Sequence, residues 1–217
     1  MKVLLGQHCV IKLLENLLDI LHEEMKKFGK KSIIKDLFSL ELAQVIECDH
    51  CKIQSEVSEK HFILNVPIIA AFGGRYQVNS EECIEDFMKA EKMTGSERYS
   101  CLRCCRKREA TKWSEIVKLP KNICITLKRS NLNGSKITTP VSFPMSTLEL
   151  KENNRSKKYS LHGVVTHHGG SVKSGHYTAF CRNVDTNLWY SYSDETVKRV
   201  DSREVRKSEA FILFYQQ

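Results

Sequence analysis

Only four prolines interrupt the 217 residues, and no apolar run approaches the roughly 20 residues that a membrane-crossing helix needs. So little proline, with only ten glycines, excludes a low-complexity or fibrous protein. The short apolar runs exclude membrane insertion by a helix, and the chain reads as soluble. A secretory route is not expected, because Gln7, His8 and Lys12 break the apolar core that the lysine and leucines of MKVLLGQHCVIKLL begin to build. Aromatic residues are scarce where the basic charge lies. The net charge of +8 is concentrated in residues 98–118, with seven Lys/Arg against two Glu, and in 121–158, with eight against two. Without interleaved aromatics these stretches form no stacking surface, so nucleic-acid binding is unlikely and solvated surface is the simpler reading. Residues 81–97 invert the balance, with six acids against two lysines.

Nine cysteines cannot all pair with one another, and four of them fall in two Cys-x-x-Cys units, Cys48/Cys51 and Cys101/Cys104. That usage suits a reducing compartment, the cytosol or nucleus, and metal binding more than a disulfide framework. Each unit offers two thiolates on one tight knuckle, so the pair of units predicts a tetrahedral structural zinc site that ties two hairpin tips together. Cys105 is an alternative ligand, His50 sits inside the first knuckle, and Cys83, Cys124 and Cys181 read as core.

Hydrophobic periodicity predicts an amphipathic helix over 10–28, with Val10, Leu13, Leu14, Leu17, Leu18, Leu21, Met25 and Phe28 on its apolar side. A face so apolar calls for a cover, from an upstream segment or a partner. Ile53 to Val66 alternates as one or two strands, and Asn79-x-x-Glu82 starts a helix with Ile84, Phe87 and Met88 inward, ending at Thr94-Gly95-Ser96. Thr111–Val117 and Ile123–Leu127 read as strands, Ser130–Lys136 as a turn-rich loop, Val141–Leu150 as at best an edge strand and Lys151–Lys158 as a charged loop. From Tyr159 onward strands recur, with Leu161, Gly163 and Val165 on one face, Tyr177, Ala179 and Cys181 on another, and Phe211, Leu213 and Tyr215 on a third.

Within this last region a Gly-Gly to Ser-Gly loop delivers His176 to the mouth of a strand, where an imidazole has the exposure a general base needs. A hydroxyl or carboxylate on a neighbouring strand, Ser193 or Asp194, is placed to orient that ring. The bland alternative is a polar hairpin tip.

Six stretches in order resemble the ubiquitin-specific protease catalytic domain: the 17–24 helix, the two Cys-x-x-Cys units, Leu119-Pro120 through Lys128-Arg129, Val141-Ser142-Phe143-Pro144, the boxes Gly175-His176-Tyr177-Thr178-Ala179 and Trp189-Tyr190-x-Tyr192-Ser193-Asp194, and Ala210 to Tyr215. The resemblance implies an α+β, papain-like fold with thumb, palm and fingers, here partial: 1–40 the last thumb helices, 41–118 mainly the zinc-bearing fingers, 119–217 the palm with its antiparallel sheet and His box. It implies a thiol-dependent deubiquitinase whose partners are ubiquitin or ubiquitinated proteins. His176, Ser193 and Asp194 take the catalytic positions, Gly175, Tyr177 and Trp189 lie beside the ubiquitin tail, and Cys48, Cys51, Cys101 and Cys104 hold Zn2+.

The chain departs from the family pattern in three ways. Ser193 stands where Asp or Asn is usual. The Gln-Gln-Asp motif is degraded to Gln7-His8-Cys9, with Lys12 in place of an acid and Ser130 in place of an aromatic. The Cys box that carries the nucleophile is absent, so the chain alone is expected to be inactive. A noncatalytic ubiquitin-binding relative or adaptor is the alternative, and a zinc-stabilised nucleic-acid-binding scaffold a remote one.

Overall fold

The first helix ends on a glycine. α1 (Val10–Lys27) stops where Gly29 takes φ 65°, with Lys30 N–H donating to Met25 O and Gly29 N–H to Lys26 O, the paired bonds that close an α-helix on a left-handed residue. Residues 10–69, 78–130, 135–153, 155–171 and 174–217 are described in this computed structural model. Gln7, His8 and Cys9 therefore lie outside the described residues. α2 (Ile33–Phe38) follows at once, capped by Ser32, whose hydroxyl accepts from Lys35 N–H and meets His22 Nδ1 at 2.6 Å. The apolar side of α1 is wider than its sequence stripe. Val10, Ile11, Leu14 and Leu18 pack inward, whereas Leu13, Leu17, Ile20 and Leu21 are exposed.

β1 (Leu40–Cys48) and β2 (Gln54–His61) form a long antiparallel hairpin. β3 (Leu64–Pro67) leaves it for the larger sheet, so residues 41–118 do not all belong to the finger sheet. After β4 (Val78–Asn79), Asn79 caps α3 (Ser80–Met88) by accepting from Glu82 N–H at 2.7 Å. The predicted helix to residue 93 stops five residues early, because Glu91–Met93 is β5, held by the edge of β8 (Ala110–Lys118). Between them β6 (Tyr99–Cys101) and β7 (Arg106–Arg108) make a second small hairpin. The finger sheet has the order β2-β1-β8-β5.

The larger sheet contains β9 (Asn122–Lys128), β12 (Arg155–Ser171), β13 (Ser174–Arg182), β14 (Trp189–Ser193), β15 (Thr196–Val200) and β16 (Ala210–Gln216), with α4 (Ser202–Arg206) before the last strand. Its order is β15-β14-β13-β12-β16-β9-β3. β10 (Val141–Ser142) pairs with β4, and β11 (Leu148–Glu152) pairs with the first residues of β12. The charged stretch 151–158 is thus the tip of a hairpin rather than a free loop. Lys151, Arg155 and Lys158 are exposed while their backbone is paired, and Lys157 bonds Glu152 at 2.8 Å.

β9 and β16 lie mid-sheet and are buried on both faces, which is why they read as continuous apolar runs. One face builds the main core around Leu64, Ile125, Leu127, Leu161, Leu213 and Tyr215. The other carries α1, with Leu18 against Ile63, Cys124, Phe211 and Ile212. Phe211 therefore separates from Leu213 and Tyr215. A register shift between Leu161 and Gly163 likewise breaks the expected alternation: Leu161 and Val164 enter the main core and Val165 the opposite cluster.

Candidate functional site

β13 begins with Ser174-Gly175-His176, and His168 on β12 stands directly opposite His176. A Cβ built on Gly175 would collide with the His168 carbonyl oxygen and with His167 Nε2, and one on Gly169 with the Ser174 carbonyl oxygen. Glycine at both positions lets the two strands close, and that fixes the backbone from which His176 projects. Val172 and Lys173 of this loop lie outside the described residues.

The ladder between β13 and β14 ends at Ala179–Tyr192. Just beyond that end, His176 Nε2 and Ser193 Oγ meet at 2.9 Å. Asp194 turns the chain with φ 47° and brings Oδ2 to 3.8 Å from the same nitrogen, too long for a hydrogen bond. The His176 side chain is 46% exposed. With its hydrogen on Nε2, the ring is held by Ser193 and leaves Nδ1 free to accept a proton.

The neighbouring histidines are not interchangeable with it. His168 Nε2 is engaged by Thr166 Oγ1 at 3.2 Å and Thr178 Oγ1 at 3.0 Å, and the two threonines bond each other at 2.6 Å. This polar ladder was missed in the sequence, although Thr166, His168, His176 and Thr178 alternate as cross-strand neighbours must. His167 points the other way. It is buried, its ring lies 4.6 Å from that of Tyr177 and 6.0 Å from Phe211, and burial, with Lys136 adding to it, pushes its pKa down. Tyr177 is therefore wedged between His167 and Phe211 beneath His176.

Trp189 is placed differently from the other expected tail residues. It sits at the far end of β14, opposite Arg182 and Val200, and is 6% exposed in the main core. Its indole offers no face to a ligand, and it serves the site by anchoring the strand that carries Ser193.

At the finger tips the four sulfurs of Cys48, Cys51, Cys101 and Cys104 lie within 4.8 Å of one another. Tetrahedral zinc, with Zn–S bonds of about 2.3 Å, requires sulfurs about 3.8 Å apart, and Cys51 and Cys101 stand at 3.6 Å. Both knuckles turn on a left-handed residue after their second cysteine, Lys52 at φ 58° and Cys105 at φ 51°. The two hairpin tips are thus copies of one local geometry. Backbone N–H groups of Cys51 and His50 lower the Cys48 thiol to about 7, while burial and the neighbouring thiols push Cys104 up to about 12. Four thiolate donors this close together fit zinc. Cys105 turns away, bonding Leu102 O at 3.3 Å, and His50 Nδ1 approaches Cys104 Sγ at 3.7 Å as an outer partner.

A cavity of 860 Å3 lies elsewhere, between α3, β8 and β11, with Ile84, Met88 and Leu150 in its wall. Among the described residues no cysteine or histidine lines it, so it is no rival for the chemistry at His176.

A family profile described as ubiquitin carboxyl-terminal hydrolase matches residues 5–215. Human ubiquitin carboxyl-terminal hydrolase 2 is 35% identical over 192 residues, covering 85% of this chain and 31% of the human protein. Mouse ubiquitin carboxyl-terminal hydrolase 3 is 32% identical over 206 residues, covering 86% and 39%. Among solved structures, the SAGA Ubp8/Sgf11/Sus1/Sgf73 DUB module bound to ubiquitin aldehyde superposes with a TM-score of 0.79 at 26% identity, covering 94% of this chain and 48% of that one. The same module bound to monoubiquitin gives 0.81 at 27%, covering 94% and 47%. The chain spans well under half the length of these two curated relatives, and just under half of the structural neighbours.

Proposed function

The chain belongs to the ubiquitin carboxyl-terminal hydrolase family, and on that premise we propose that it supplies the fingers, the palm and the catalytic histidine of a ubiquitin-cleaving cysteine protease. The 2.9 Å contact between His176 Nε2 and Ser193 Oγ carries this reading. In the reaction a thiolate attacks the carbonyl of the terminal glycine of ubiquitin. His176 takes the thiol proton on Nδ1 and returns it to the leaving lysine amine, Ser193 fixes the ring, and Asp194 lies beside it. Gly175 and Tyr177 lie beside the ubiquitin tail. The two structural neighbours bound to ubiquitin aldehyde and to monoubiquitin support ubiquitin as the partner.

The nucleophile comes from outside the described residues. Cys181 is five residues along β13 from His176, an odd separation that puts it on the opposite sheet face, about 16 Å away at strand spacing. Cys83 and Cys124 are buried in the cores, and the other described cysteines belong to the finger tips. In this reading Cys9, which lies outside the described residues, is not the nucleophile, and the chain alone is inactive. The exposed Leu13, Leu17, Ile20 and Leu21 stripe of α1 supports a further segment or partner docking there. Zn2+, held by Cys48, Cys51, Cys101 and Cys104, supplies structural cross-linking of the fingers. The free cysteines support a reducing compartment, cytosol or nucleus.

A second reading, a noncatalytic ubiquitin-binding relative, is favoured by Ser193 in place of an acid and by the same placement of the cysteines. Incubation with ubiquitin carrying a C-terminal electrophile tests the assignment. The zinc-loaded chain is expected to bind the probe reversibly without forming an adduct. An adduct that disappears on Cys9→Ser would place the nucleophile in this chain, and no binding at all would count against both readings.

A further inference from the structure

We infer that Lys136 is a positioning residue for His176, a buried ammonium that pairs with Glu209 and braces the backbone of β12 where it faces the histidine; this rests on the reading of His176 as the site histidine. Lys136 lies in the connection between β9 and β10, yet its side chain is only 3% exposed. The ammonium donates to His167 O at 2.8 Å and to Gly169 O at 3.2 Å, and stands 2.8 Å from Glu209 Oε1. Those two carbonyls flank His168, the residue directly opposite His176.

Glu209 is tied in turn to the sheet interior. Arg129 at the end of β9 is fully buried, with Nη1 3.9 Å from the same carboxylate oxygen, Nε donating to Ala210 O at 2.7 Å, and Nη1 donating to Ile137 O and Thr139 O at 3.0 and 2.9 Å. A chain of contacts runs from the end of β9 to the rim of the site: guanidinium, carboxylate, ammonium, then two carbonyls. Ser135 bridges to Ser171, which brings the Lys136 loop against the end of β12. A lysine with its side chain this deeply buried costs desolvation energy that a surface lysine avoids, and the return is two backbone groups pinned at one point. Because Gly169 and Gly175 allow the strands to close but supply no side chain to hold them, a strut from a third segment has a defined task.

Hydrogen exchange by mass spectrometry on the zinc-loaded chain reads this without ubiquitin. Lys136→Met is expected to speed exchange at residues 167–171 and 174–176 at least tenfold while β9, β16 and the finger sheet keep their protection. Lys136→Arg is expected to restore most of it, and Glu209→Gln to give an intermediate effect. Unchanged exchange near His176, or acceleration spread evenly through β9 and β16, would overturn the assignment. Should Lys136→Met not fold, Glu209→Gln is judged by the same criteria. A second readout separates this from the functional reading: affinity for intact ubiquitin should fall in Lys136→Met to that for ubiquitin lacking its last two glycines, with the latter unchanged. Absence of ubiquitin binding to the unmodified chain would sink the functional reading and leave the exchange result to decide the strut.

Discussion

His176 and Ser193 are joined at 2.9 Å across the open end of two strands whose ladder has already stopped. The bond is possible because His176 lies near the start of β13, just after Gly175, and Ser193 closes β14, both beyond the last paired residues Ala179 and Tyr192. It leaves one imidazole nitrogen committed and one free.

Removing the hydroxyl should release the ring. In Ser193→Ala the Nε2–H proton signal of His176 is expected to vanish through faster exchange with water, while the fold and zinc content stay unchanged. Ser193→Asp should keep the signal. Proton NMR of the histidine rings reads both, and a signal indifferent to either change would mean that Ser193 does not hold the ring.

The metal should govern the fingers alone. Metal analysis is expected to find one zinc per chain, lost in the double variant Cys48→Ser/Cys101→Ser. Chelation should remove protection from the β2-β1-β8-β5 sheet and spare β9 and β16, because structural zinc stands in for the core a hairpin tip lacks. Zinc retained in the double variant would refute the four-cysteine set.

A methyl group at residue 175 has nowhere to go. Gly175→Ala forces a Cβ into the His168 carbonyl and the His167 ring, and overpacking of this kind costs about 1–3 kcal/mol. Gly170→Ala meets no atom within 4 Å and should cost far less. Thermal or urea denaturation compares the two.

The two apolar edges of α1 should respond differently. Leu18 is 6% exposed against Ile212, whereas Leu17 is 50% exposed. Leu18→Ala is expected to cost about 2–4 kcal/mol, and Leu17→Ser less than about 0.5 kcal/mol, by urea denaturation.

Acid should weaken the fold through His167. Its folded pKa lies below the ordinary 6.5 because burial disfavours the charged ring. The unfolded chain therefore binds more protons as pH drops below about 6.5, so stability is full above that value and is lost toward the folded pKa. His162, also pushed down by burial, adds to the same window. Denaturation midpoints from pH 7.5 to 5 should show the decline, and His167→Phe should flatten part of it.

Much of this arrangement was legible in the residues, for identifiable reasons. The cysteine knuckles declare themselves through spacing, α1 through its period, and His176 through the glycines that any close strand approach requires. Other features depend on partners distant in sequence. Glu91–Met93 continues a helical composition but is a strand because β8 offers an edge. The alternation after Tyr159 is broken by a register shift that only the pairing with β16 reveals. Trp189 is expected beside the ubiquitin tail, and only the pairing with β15 and the main core shows it enclosed. Lys136 looks like one more basic loop residue, and nothing local announces that Glu209, 73 positions later, draws it inward.

The most direct test is an NMR titration of the isotope-labelled, zinc-loaded chain with ubiquitin and with ubiquitin lacking its last two glycines. Intact ubiquitin should shift signals of Gly175, His176 and Tyr177 together with those of the finger sheet, and the truncated form should shift the fingers alone. Identical shifts from both forms, or none near His176, would contradict the placement of the ubiquitin tail at this histidine.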